Sequence, residues 1–72
     1  MPDIVVDARG LLPPEPLERA VAALDRLGDG AALILMLDRK PYPLIGLLSL
    51  NGYRWDECAL ENGGFEFRIQ RR

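Results

Sequence analysis

Twice in this chain an apolar run stops at a charged turn and is followed at once by a Pro-x-Pro-Leu step. These are Pro14-Glu15-Pro16-Leu17 and Pro41-Tyr42-Pro43-Leu44. Proline fixes φ at about −65° and carries no N–H, so it suits the first helical turn, where backbone donors have no internal partner. The repeated step predicts two strand–helix units in succession. Either the units descend from a duplication, or two helix starts met the same requirement independently.

Around those steps the hydrophobic period changes. Residues 3 to 8, with Ile4, Val5 and Val6, read as a strand ended by Gly10. From Pro14, apolar residues recur every three or four positions at Leu17, Val21, Leu24 and Leu27, which predicts an amphipathic helix closed by Gly28-Asp29-Gly30. Residues 31 to 37 are continuously apolar, as in a strand covered on both sides. Asp38-Arg39-Lys40 then turns the chain into a second helix that lasts to about Asn51-Gly52. Two further strands, Tyr53 to Leu60 and Phe65 to Arg71, flank Glu61-Asn62-Gly63-Gly64, and Asn-Gly is a strong hairpin signal. A two-residue turn would pair Cys58 with Phe67 and turn it inward. A loop one residue longer would put Trp55 and Ala59 on the Phe67 side, because a one-residue slip reverses faces.

The order β-α-β-α-β-β, with right-handed crossovers, predicts a two-layer α/β (α+β) sandwich with both helices on one face of a four-stranded mixed sheet. At 72 residues there is room for a single domain, 1–72, which buries only about 60% of its unfolded surface.

Composition removes several function classes. The net charge is −2 and the pI about 4.9, which supplies no general attraction to nucleic acid or anionic lipid. No stretch approaches the roughly 20 apolar residues of a membrane span. Met1-Pro2-Asp3 shows no leader, so a cytoplasmic setting is expected, in keeping with the single cysteine, Cys58. The chain has no histidine, which removes a catalytic triad, a zinc site and a histidine proton shuttle. No cofactor is expected.

The stretch Asp7-Ala8-Arg9-Gly10-Leu11-Leu12-Pro13-Pro14-Glu15-Pro16 resembles the D-x-R-G-L-x-C-P-x-P signature of the TusA/SirA-like sulfur-carrier family. In that family a cysteine sits at a helix N-terminus, where the positive end of the helix stabilises its thiolate. Asp7, Arg9, Gly10, Leu11, Pro14 and Pro16 match; Pro13 stands in the cysteine's place. More specifically, the chain is similar to a branch of unassigned function with P-P-E-P at this point. The resemblance implies the same strand–helix order, with the fourth strand between the second and third. It also implies a setting in bacterial sulfur, redox or metal-cofactor metabolism.

Four candidate sites remain. Cys58 as an unorthodox persulfide carrier is disfavoured, because Asp56, Glu57 and Glu61 repel a thiolate; the alternative is a small residue packed on Phe67. Asp7 and Asp38 end the first two strands and suggest an acid pair, but Arg9, Arg39 and Lys40 nearby argue for salt-bridged loops. A ligand or partner edge gathers Arg9, Gly10, Pro13, Pro14, Glu15 and Pro16 from one loop with Arg39 and Lys40 from the other, although five prolines delete backbone donors there. Finally, Ile34, Met36, Ile45 and Leu50 lie off the expected inward stripes and are candidates for apolar docking of a protein partner or a second copy. The resulting expectation is a non-enzymatic protein-interaction module. A persulfide carrier using Cys58 is one alternative. A nucleic-acid-binding domain is the other, since the C-terminal domain of translation initiation factor three shares this topology, but Arg68, Arg71 and Arg72 are a thin basic cluster.

Overall fold

The computed structural model describes residues 3–72, so the reading of Met1-Pro2 as leaderless lies outside the described residues. The elements follow the predicted order: β1 (Ile4–Asp7), α1 (Glu15–Arg26), β2 (Ala32–Leu37), α2 (Tyr42–Leu50), β3 (Tyr53–Ala59) and β4 (Phe65–Arg71). The sheet runs β1-β2-β4-β3. β1 and β2 are parallel, and β4 is antiparallel to both of its neighbours. This is a four-stranded mixed sheet with two helices, an α+β fold.

One face of the sheet carries the core. Leu33, Leu35, Phe67 and Ile69 are fully buried there with Leu44 and Leu48 of α2. Burying each such side chain is worth about 1.5–3 kcal/mol. Helix α1 meets this face through Ala20, Ala23 and Leu24, joined by Leu27 just past its end, while Leu17 and Val21 are half-buried beside it. The inward stripe is thus turned toward the alanines relative to the leucine–valine pattern, because small side chains let a helix approach the sheet closely. The other face is open. β2 is therefore covered on one side, not both: Ile34 and Met36 are half-buried between strands, while Leu33, Leu35 and Leu37 are buried beneath the helices.

The hairpin adopts the longer loop. Leu60 N–H donates to the Gly64 carbonyl at 2.7 Å, and Gly63 N–H donates to the Leu60 carbonyl at 3.1 Å. Gly63, at φ 91°, occupies the left-handed position that ends such a three-residue loop. Trp55 consequently faces Ile69, and Ala59 faces Phe65, on the covered side. The placement of Cys58 against Phe67 is corrected by the same register: Cys58 opposes Glu66 on the open face and is exposed.

Gly64 is buried where this loop returns beneath the end of β2. A Cβ there would lie 2.7 Å from the Leu37 carbonyl oxygen, a backbone atom that cannot move without disturbing the central strand. Gly64→Ala should destabilise the protein by about 2 kcal/mol in urea unfolding, the usual size of an overpacking clash. Ala59→Gly, at an exposed site, should cost less than half of that.

Candidate functional site

Parallel pairing of β1 with β2 brings their C-terminal ends to one edge of the sheet, and Ala8 N–H extends the ladder to the Met36 carbonyl at 2.9 Å. The following loops then run side by side. Gly10, at φ 80°, turns its N–H onto Asp38 Oδ2 at 2.6 Å, which ties the first loop to the second. Helix α1 starts on Pro14 without any side-chain cap, and Glu15 N–H donates to the Leu12 carbonyl at 3.0 Å. Helix α2 starts in the same way on Pro41, with Tyr42 N–H donating to the Lys40 carbonyl at 3.1 Å. Both helix N-termini thus open on the same edge.

Between the loops lies a groove of about 760 Å³. Its floor is Ala8, Leu37 and Leu44, and its walls are Leu11, Leu17 and five prolines, 13, 14, 16, 41 and 43. Asp38, Arg39 and Lys40 line it from the second loop. Of the predicted edge residues, Gly10, Pro13, Pro14, Pro16, Arg39 and Lys40 meet in this groove, whereas Arg9 and Glu15 do not line it. Glu15 instead accepts from Arg19 at 3.1 Å, one helical turn along α1.

The charges at this edge are mostly spoken for. Arg9 grips Asp7 with two side-chain hydrogen bonds, Nε to Oδ1 and Nη2 to Oδ2, each 2.9 Å, and its backbone N–H adds a third at 3.1 Å. The Arg9 side-chain bonds, then its backbone bond, hold the Asp7 carboxyl below its ordinary 3.8, at about 2, and the Arg9 guanidinium is raised in return. Lys40 Nζ lies 3.5 Å from Glu57 and 5.8 Å from the centre of the Phe65 ring. Arg39 has no ion-pair partner among the described residues. The pairing of Asp7 and Asp38 as an acid dyad is not supported, since a general acid needs a raised carboxyl and Asp7 moves the other way. Asp38 is engaged by a backbone N–H and makes no ion pair within 4.0 Å among the described residues.

Two exposed apolar residues of the helix starts were not singled out from sequence. Leu12 is 80% exposed and lines the groove, and Tyr42, 71% exposed, stands between Pro41 and Pro43. Their signal was available: each is a large apolar side chain beside prolines, Leu12 just before α1 and Tyr42 as the first residue of α2. The four apolar docking candidates do not form one patch. Ile34 and Met36 lie on the open sheet face with exposed Val5, Ile45 packs against the core from the flank of α2, and Leu50 is 87% exposed at the far end of that helix. Helices and open face are on opposite sides of the sheet, so these residues divide between two surfaces. No three potential metal-ligating side chains cluster among the described residues.

The strand–helix frame has a known counterpart. The structure is similar to the crystal structure of a SirA-like protein from Desulfitobacterium hafniense, with a TM-score of 0.79 and 29% identity over 92% of this chain and 93% of that one. The fold is therefore SirA-like. Residues 5–71 match the family described as "Uncharacterized conserved protein (DUF2249)", and the chain belongs to that family. No curated protein matches the chain. No helix among the described residues is long and apolar enough to cross a membrane.

The Asp7–Arg9 clamp predicts a pH signature with a definite sign. A carboxyl whose folded value is depressed contributes stability that is present above the unfolded value and is lost as pH falls through the folded one. For Asp7 that window runs from 3.8 down to about 2. Carboxyl-detected NMR titration should place its midpoint near the bottom of the window. Arg9→Ala should return it to the ordinary carboxylate range. An unmoved midpoint would mean that the clamp does not persist in solution.

Proposed function

We propose that this protein is a non-enzymatic interaction module: a sulfur-carrier fold that keeps its docking edge and lacks the carrier thiol. One observation carries this reading. The groove at the helix starts contains no cysteine, serine, threonine or histidine among its lining residues, and Pro13 stands where the family signature has its nucleophile. What the edge does offer is contact area. Leu12 and Tyr42 project from rigid proline turns, and such apolar side chains on a fixed frame lose little freedom when a partner covers them.

The resemblance of residues 7 to 16 to the P-P-E-P branch supports a setting in bacterial sulfur, redox or metal-cofactor metabolism with a protein as partner, and the single cysteine fits the cytoplasm. A nucleic-acid partner finds no support, because Arg9 and Lys40 already have acidic partners at the edge. Cys58 is the one thiol available for group transfer. It lies within a strand on the open face, opposite Glu66, rather than at a helix start.

Incubation with a cysteine desulfurase and cysteine should leave the intact mass unchanged, while a TusA-type carrier treated in parallel gains the mass of one sulfur atom. A gain of one sulfur that disappears in Cys58→Ser would replace the docking reading with a carrier reading.

A further inference from the structure

The groove has the dimensions of a small-molecule site as well as those of a docking edge. Its volume of about 760 Å³ falls inside the range of about 300–1,000 Å³ typical of ligand pockets, and its mix of apolar walls with a few grouped polar side chains is also typical. The apolar part is continuous from Leu11 and Leu17 on one side to Leu37 and Leu44 on the other. The polar part is confined to one stretch, Asp38-Arg39-Lys40.

Charge selects the ligand. The Asp38 carboxylate, also outside any ion pair, is turned onto the Gly10 N–H of the first loop, and Lys40 is shared with Glu57, so Arg39 is the lining cation without an ionic partner among the described residues. The nearby N-terminus of α2 has no acidic residue in its first turn, whereas α1 has Glu15 and Glu18. The positive end of α2 is thus uncompensated on the side where Arg39 stands. A bare phosphate or sulfate is a poor fit. Prolines 13, 14, 16, 41 and 43 have no N–H, so the backbone cradle that such anions require is missing.

We propose that the groove binds a small amphipathic anion, with an apolar acyl or aryl body between the proline walls and a single carboxylate or sulfonate head at Arg39. The body supplies most of the affinity and the head supplies the orientation. Such a ligand needs no protein on the rim, so this reading and the docking reading fail separately.

The test uses the full chain, labelled for amide NMR, with octanoate as the probe and octanol, octylammonium and inorganic phosphate as controls. Octanoate should give saturable shifts at the amides of residues 10–12, 17, 39–40 and 44. Octanol and octylammonium should bind more weakly at the same amides, and phosphate should give no saturable shift. Arg39→Ala should weaken octanoate by about threefold to fivefold, the scale of one exposed ion pair, and leave octanol unchanged. Arg39→Glu should make octylammonium the preferred ligand, and unshifted amides elsewhere will report that each variant is folded. Absence of saturable octanoate shifts would overturn the proposal, as would equal binding of octanoate and octylammonium. So would shifts centred on Val5, Ile34 and Met36, which would move the site to the open sheet face.

Discussion

Parallel pairing of β1 with β2 is the constraint on which the rest of the structure depends. Two parallel neighbours cannot be joined by a tight turn; the chain must cross over, and α1 is that crossover. Once the strands point the same way, their ends share an edge, and both helices must begin there. Asp38 then holds the Gly10 N–H, so the two loops are set relative to one another by a hydrogen bond between them. The groove is the space left between two helix starts that proline keeps from closing up.

That edge differs from its appearance in sequence. Arg9, Arg39 and Lys40 look like a basic cluster, yet two of the three are neutralised locally. Asp7, two residues before Arg9, takes its guanidinium in a two-pronged grip, and Glu57 reaches Lys40 from β3. The prolines act in the same direction, since each removes an N–H from a helix end that would otherwise attract anions. The surface that results is mainly apolar, with one cation, Arg39, and one carboxylate, Asp38, outside any ion pair among the described residues. It is suited to covering apolar groups and badly suited to reading phosphates, which is why we propose docking and amphiphile binding rather than nucleic-acid binding.

The strand–helix order and most element ends were legible because they rest on local signals: β-branched runs, the Pro-x-Pro-Leu starts, and the glycines that follow β1, α1, α2 and β3. The edge itself was legible in part, since Gly10, Pro13 and Arg39 meet there as the order implies. What the residues alone left open depended on contacts distant in sequence. Asn62-Gly63 fits two loop lengths, and the register that sets Trp55 opposite Ile69 is the one that turns Cys58 outward. The partner of Lys40 depends on that same register, because Glu57 must fall on the covered side of β3 to approach it. The apolar excess of α2 and β2 was visible too. Its division between two opposite surfaces was not, since periodicity reports an angle around an element and says nothing of which neighbour lies there.

The central proposal is that a SirA-like scaffold serves here without a thiol at residue 13, where the sulfur-carrier signature it resembles has a cysteine. Putting a thiol there tests this most directly: Pro13→Cys in a Cys58→Ser background, incubated with a cysteine desulfurase and cysteine and followed by intact mass. The account predicts that this variant acquires one sulfur atom, since the helix N-terminus, the Asp7–Arg9 clamp and the Asp38–Gly10 tie are already in place. A folded variant whose new thiol stays unmodified under conditions that load a TusA-type carrier would contradict it.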